Sequence, residues 1–245
     1  MVKTIFEENL GKLTDELDDY LELTLKIPDS VFTGPSVYFH QEAIKAARDE
    51  KLFLEKRHKE MIYAMLPAWG MHHTGNHSVK TVNYKIFENE IKKISGKCDE
   101  LKHKTILTAT DTDVCKIVDL IIELNVSEAN TRLVSSSKTL HHILPNLIPP
   151  IDRAYSVRFM RQSVFNTNTI QLSSLKSEKN LAKTFIEEMK VFIEKHEVPM
   201  KKYVKKTFDS SHPNFNTSLP KLFDNLIVAF IRDKRGDSDE ADDAE

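Results

Sequence analysis

Glycine is scarce in this chain, with six in 245 residues. Tight turns between strands consume glycine because several turn types need a positive φ, so a many-stranded β fold is disfavoured and helices are expected. Cysteine is scarcer still: Cys98 and Cys115 are the whole complement. They stand at neither a metal-finger nor a redox-motif spacing, and two reduced thiols are the expectation. No apolar run reaches the roughly 20 residues that span a bilayer. The opening Met1-Val2-Lys3-Thr4-Ile5-Phe6-Glu7-Glu8 turns acidic at once and lacks the form of a secretory signal. The expected setting is cytoplasmic, with no membrane partner. A P-loop, a dinucleotide-binding fingerprint and a nucleophile elbow are also missing, so nucleotide-dependent and serine-hydrolase chemistry have no residues to rest on. No cofactor is assigned.

What the chain does have is material for a core. It is 40% hydrophobic and includes thirteen phenylalanines, enough to bury a sizeable interior without staples. The expected fold is all-α, one multi-helix domain over residues 1–235 with about eight to ten helices. If there are two lobes, the polar stretch 163–179 is the seam. The net charge of −2 conceals an asymmetry: residues 233–245 carry seven carboxylates against Lys234 and Arg235, a balance of −5 that leaves the other 232 residues at +3. Residues 236–245 contain no apolar side chain larger than alanine and are expected to be a disordered acidic tail.

Periodicity places the helices. Leu10, Leu13, Leu17, Leu21 and Leu25 form one stripe at spacings of three and four, predicting a helix over 5–25. A long helix is predicted over 37–65, closed by Pro67, and another from Val82 through Ile94. Thr110-Asp111-Thr112-Asp113 has the form of a helix start, with a helix expected through Leu124 and a further short helix or turn over 127–134. Helices are also predicted over 181–195, from Pro199, and over 219–231.

One segment departs from ordinary helix-and-loop composition: Ser135-Ser136-Ser137-Lys138-Thr139-Leu140-His141-His142, then Pro145, Pro149-Pro150, Asp152-Arg153-Ala154-Tyr155 and on to Arg161. Serines are good helix starts, Pro145 is a stop, Pro149-Pro150 is an extended strut, and Asp152 stands where an N-cap belongs. The pattern is helix, rigid loop, helix, with Lys138 and Asp152 at the N-terminal ends of the two helices and turned to one surface. Arg132, Lys138, Arg153, Arg158 and Arg161 surround a single acid, Asp152, an excess suited to phosphate.

The run K-x-L-H-H-x-x-P-x-L-x-P-P-x-D-R-x-Y over 138–155, with Leu66-Pro67-Ala68-Trp69-Gly70-Met71-His72 upstream, resembles a family of uncharacterised prokaryotic proteins. That family lends no established activity. A looser resemblance is to the helix-hairpin-helix DNA glycosylases, in which a catalytic lysine on one helix is followed by a loop and an aspartate capping the next. This resemblance implies Lys138 as the nucleophile at the sugar C1′ and Asp152 as the group that stabilises positive charge there, with Arg153, Arg158, Arg161 and Arg132 on nucleic acid. The chain departs from that pattern where Val134-Ser135-Ser136-Ser137 replaces the glycine-containing hairpin, and in its shorter Lys-to-Asp interval.

Two further groups of residues stand out. Trp69, His72, His141 and His142 are candidate site residues, the tryptophan more readily read as core than as a stacking platform. The histidines lack the H-E-x-x-H or C-x-x-C arrangement, so no metal ligand is assigned, and one of the adjacent pair His141 and His142 is expected to be buried. The basic run Lys201-Lys202-Tyr203-Val204-Lys205-Lys206 reads as a solvated helix face. The leading expectation is therefore a nucleic-acid-associated helical protein. A non-catalytic protein-interaction module with an unknown partner is the alternative, and a histidine metalloenzyme the third reading. Because the tail buries no apolar surface, deleting residues 236–245 is expected to leave the melting temperature unchanged, and a calorimetric drop of several degrees would show it docked.

Overall fold

The computed structural model describes residues 4–27, 35–71, 81–161, 174–204 and 215–235. Among these the chain is all-α. Its helices are α1 (Ile5–Asp15), α2 (Leu17–Thr24), α3 (Pro35–Arg48), α4 (Lys56–Ala68), α5 (Tyr84–Leu101), α6 (Asp111–Glu123), α7 (Leu133–Ile143), a π-helical turn (Arg153–Val157) running into α8 (Arg158–Arg161), α9 (Leu175–Lys195), α10 (Glu197–Tyr203) and α11 (Leu219–Arg235). One isolated antiparallel bridge, Thr81 to Ser127, is the β pairing among the described residues. No helix there is long and apolar enough to cross a membrane. Both cysteines are free, Cys98 buried and Cys115 exposed.

The eleven α-helices exceed the expected number because two long stripes are broken. The helix expected over 5–25 is interrupted at Glu16, whose φ of −114° and ψ of 27° end α1 and begin α2. The helix expected over 37–65 is two, separated by a turn at 49–55 in which Leu54 takes a positive φ of 57°. The alternating charges in that turn read as a solvated helix face, whereas Leu54 in the left-handed region ends any helix. His58 secures the turn: its Nδ1 accepts the Leu54 N–H at 3.1 Å. Pro67 does not close α4, which runs one residue further to Ala68. No helix forms over 127–132, and α9 already begins at Leu175, inside the stretch expected to be a connection. The tail 236–245, the loop 72–80 with His72, the stretch 162–173, and Lys205 and Lys206 lie outside the described residues.

Local capping accounts for the firm helix starts. Thr110 and Asp113 form a reciprocal capping box at α6, each side chain accepting the other residue's backbone N–H, as do Thr4 and Glu7 at α1. The Lys104 ammonium, with the backbone and hydroxyl of Thr110, holds the Asp113 carboxyl far below the usual carboxylate range. Asn83 caps α5 and Ser174 caps α9.

Two helices form the interior. α11 is buried on every side from Pro220 to Ile231 and packs against α2, α9, α10 and the π turn. A chain of aromatic contacts ties it to its neighbours: Phe6 stacks on Phe185 and meets Phe159 edge-on, Phe159 meets Phe230, and Phe223 meets both Phe185 and Phe192. α7 is buried along its whole length, enclosed by α3, α4, α6 and α9. Most of its buried polar groups are satisfied internally, as burial requires, Thr139 Oγ1 and His141 Nε2 being the exceptions. Ser136 donates to the Leu124 carbonyl at 2.7 Å, Ser137 accepts the Ile151 N–H at 3.0 Å, and Glu178 of α9 accepts the N–H groups of Arg132 and Leu133 at 2.8 and 3.0 Å.

Three substitutions test this packing. Phe223→Ala in the interior is expected to lose about 3–5 kcal/mol in denaturant unfolding, and Thr110→Ala at the α6 cap about 1 kcal/mol. Val198→Ala, at a position 73% exposed, should stay within about 0.5 kcal/mol of the parent.

Candidate functional site

The polar residues of α7 do not face solvent. They meet polar residues from α3, α4, α11 and the 144–157 segment in one buried layer. Lys138 lies in the second turn of α7, not at its N-terminal end, and its side chain is only 9% exposed. Its Nζ pairs with Asp152 Oδ2 at 2.9 Å and donates to the Trp69 carbonyl at 3.3 Å. The two residues that the sequence placed on one surface are therefore in direct contact, although the lysine is buried. Asp152 caps the π turn as expected, its Oδ1 accepting the Ala154 N–H at 2.7 Å. Desolvation pushes its carboxyl up, but the Lys138 charge and the backbone N–H groups of Ala154 and Tyr155 outweigh this and hold it below the usual range. Of the pair, Asp152 is the one that reaches solvent, with 28% of its side chain exposed.

A second ion pair lies behind the first. Lys221 Nζ donates to Asp224 Oδ2 at 2.7 Å and to Asn225 Oδ1 at 2.6 Å. Asn225 continues to Asn216, and Asn216 to Thr24, at 2.7 and 2.9 Å. Ser156 joins the two pairs: its hydroxyl accepts the Asp152 N–H at 3.1 Å and donates to Asp224 Oδ1 at 3.4 Å. Burial raises the Asp224 carboxyl above its ordinary value, with the Lys221 charge opposing. Trp69 is 8% exposed and lies between the pairs, with Lys221 Nζ 5.3 Å and Lys138 Nζ 6.0 Å from its ring, inside cation–π range.

The histidines complete the layer. Not one but both of His141 and His142 are fully buried, and His40 of α3 and His58 of α4 join them. Hydrogen-bond partners assign every tautomer. His142 Nδ1 faces the Lys138 carbonyl at 2.7 Å and must donate, leaving Nε2 to accept from His40 Nδ1 at 2.8 Å. His58 donates through Nε2 to the His142 carbonyl at 2.8 Å, and His141 donates through Nδ1 to the Ile148 carbonyl at 2.7 Å. Desolvation lowers all four, His58 to about 4 and His142 to about 3.

The arginines divide into two groups. Arg153 is half-buried beside Asp152, and Arg158 is buried with its Nε donating to the Ala154 carbonyl at 3.1 Å. Two arginines that the sequence reading passed over join them from α11: Arg232 hydrogen-bonds the Tyr155 side chain, and Arg235 lies close enough to act on both Tyr155 and Arg158. Arg132 and Arg161, expected in the same platform, are engaged elsewhere. Arg132 donates to the Ile122 and Glu123 carbonyls at the end of α6, and Arg161 reaches Ser177 of α9 at 3.2 Å.

His40, Lys221, Asp224 and Asn225 were not singled out from the sequence, which gives only a weak signal for them. Lys221, Asp224 and Asn225 sit at i, i+3 and i+4 in the otherwise apolar α11, and His40 shares a stripe with Ala43 and Ile44. Nothing local told them apart from a solvated edge. Compared with known proteins, the chain matches no family model, no curated protein and no solved structure.

Four buried neutral histidines make stability pH-dependent in a defined direction. Their folded pKa values lie below the unfolded value of about 6.5, so on acidification the unfolded chain takes up protons first. Their stabilisation is full at neutral pH and is lost as pH falls from about 6.5 towards the folded values, each group contributing at most about 1.4 kcal/mol per pH unit. Urea midpoints from pH 7 to pH 4 should therefore fall, and His58→Gln should flatten the slope. A midpoint that is level across this range would contradict the assignment.

Proposed function

We propose that the surface around Asp152 binds nucleic-acid backbone, and that the Lys138–Asp152 pair beneath it is a lyase-type centre acting on the deoxyribose of a damaged nucleotide. The observation that carries this reading is the 2.9 Å contact between a nearly buried lysine amine and a helix-capping carboxylate that opens to solvent. Arg153 follows Asp152 in the chain and is half-buried, and Arg232 and Arg235 of α11 come close to Tyr155, three residues on. Guanidinium groups beside this carboxylate suit phosphate, and Asp152 is the partly exposed member of the pair.

The chemistry follows from the pair. To act as a nucleophile, Lys138 passes its proton to Asp152, and the free amine adds to an aldehydic C1′. Asp152 then returns that proton to the carbinolamine hydroxyl, water leaves as the protonated imine forms, and the regenerated Asp152 carboxylate stabilises the positive charge at C1′. Lys138 also donates to the Trp69 carbonyl, which fixes the direction of the amine. This geometry has the order lysine helix, loop, capping aspartate that the looser resemblance to DNA glycosylases implies, with the lysine one turn deeper in its helix.

Two measurements test the reading. Retention on DNA or RNA should be present at low salt and fall steeply between about 50 and 200 mM, because each neutralised phosphate releases counterions. Arg153→Glu and Arg232→Glu should weaken it more than Arg161→Glu. Borohydride should trap a covalent adduct between the parent and abasic-site DNA, and Lys138→Met, checked by circular dichroism for folding, should abolish it. A chain that shows no retention at low salt has no nucleic-acid role, and retention without an adduct leaves binding but removes the lyase step.

A further inference from the structure

The buried histidines have a property that the Lys138–Asp152 reading does not use. One ring nitrogen from each of His40, His141 and His142 lies within 4.8 Å of the other two, and all three residues are fully buried. The rings do not form a simple stack. His142 stands nearly perpendicular to the other two, at 88° to His40 and 85° to His141, with centroids 5.0 Å away in both cases. His40 and His141 are near-parallel, 7° apart with centroids at 5.9 Å.

His141 supplies the second observation. Its Nδ1 is committed to the Ile148 carbonyl, so Nε2 carries a lone pair, and that nitrogen is buried without a hydrogen-bond partner. Native interiors rarely leave an acceptor in that condition. The outer hydrogen bonds are those that orient imidazole ligands: His141 and His142 both donate Nδ1–H to backbone carbonyls, at 2.7 Å each, which presents their Nε2 atoms inward.

We propose that His40 Nδ1, His141 Nε2 and His142 Nε2 hold one divalent transition-metal ion of the zinc class. Three neutral imidazoles with an open fourth position are a donor set that zinc accepts, and the absence of a thiolate from the set disfavours softer ions. In the metal-free chain the His40 Nδ1 proton lies between His40 and His142. Metal binding moves that proton to His40 Nε2, where the Thr217 hydroxyl, 3.4 Å away, turns from donor to acceptor. The step is a tautomer change with no net proton loss. Two nitrogens on a tetrahedral ion at about 2.0–2.1 Å lie about 3.3 Å apart, so the 2.8 Å His40–His142 contact opens by about half an ångström on loading.

The site lies close to cationic groups. Lys221 and Arg48 both act on His40 and His141, and the Lys221 ammonium lies 5.3 Å from the Trp69 ring and 5.9 Å from the Phe215 ring, both of which stack on His40. Asp224 pairs with Lys221. A water or an oxygen anion is the ligand class that suits the open fourth position of a three-imidazole zinc ion. The site is independent of the nucleic-acid reading.

The test uses the full chain, stripped with a chelator and titrated with zinc alone and with cobalt(II) alone. The expected result is one equivalent bound, a raised melting temperature, visible cobalt absorption of tetrahedral type, and three imidazoles by X-ray absorption on the zinc-loaded parent. His141→Gln should lower zinc affinity more than about 100-fold, beyond the loss typical of an outer-shell change, while His103→Gln, on a side chain 73% exposed, should match the parent. Should the buried substitution unfold the chain, the ligand count on the parent decides alone. A parent that binds no zinc at tenfold excess overturns the proposal, as does a ligand set with fewer than three imidazoles, or a folded His141→Gln variant that binds as the parent does.

Discussion

A helix buried on every side must find a partner inside the protein for each of its polar groups, and α7 carries far more of these than a central helix normally does. Ser135, Ser136, Ser137, Lys138, Thr139, His141 and His142 all lie on it, and all are buried. Leaving such groups unpaired is expensive, and a lone buried charge more so, and all but Thr139 Oγ1 and His141 Nε2 of these side chains find partners. Neighbouring elements are placed accordingly. Glu178 comes from α9 to close the helix start, Ile148 and Ile151 bring loop backbone to His141 and Ser137, His58 and His40 come from α4 and α3, and Asp152 comes to Lys138.

This arrangement differs from a stability device in one respect. Replacing a buried ion pair with apolar groups of similar volume is often neutral or stabilising, so two such pairs in one layer are weak support for stability as their purpose. Lys138–Asp152 and Lys221–Asp224 are joined through Ser156, and removing one member of either pair would strand a buried charge. Their placement also gives the site a direction. Asp152 reaches solvent, Lys138 is 9% exposed and the histidines are fully buried, so the layer grades from a partly exposed carboxylate to an enclosed imidazole cluster.

Much of the fold was legible residue by residue. The capping box at Thr110–Asp113, the apolar stripes of α1, α6 and α9, and the stop signals around Pro145 and Pro149-Pro150 are local, and local energetics decided them. The breaks at Glu16 and Leu54 were not legible, because the apolar period continues on either side and only packing against other helices forces the chain to turn there. Half of the candidate site was legible for a similar reason. Lys138, Asp152, Trp69, His141 and His142 announce themselves by their unusual company in the chain. His40, Lys221, Asp224 and Arg232 lie far away in sequence, within helices of ordinary appearance.

By itself the sequence determined that this chain is helical, that it has an interior to bury, and that Lys138 and Asp152 belong to one helix–loop–helix unit. Those properties follow from composition, periodicity and backbone stiffness, which act over a few residues. Only the tertiary structure decided that α7 is enclosed, that Lys138 is buried rather than presented, and that Arg132 and Arg161 are taken up elsewhere while Arg232 and Arg235 stand in their place. The same holds for the meeting of three histidines from two helices. Whether a polar side chain faces water or another polar side chain depends on which distant helix packs over it, and that is fixed by the balance of burial and desolvation across the whole chain, not by its own neighbours in sequence.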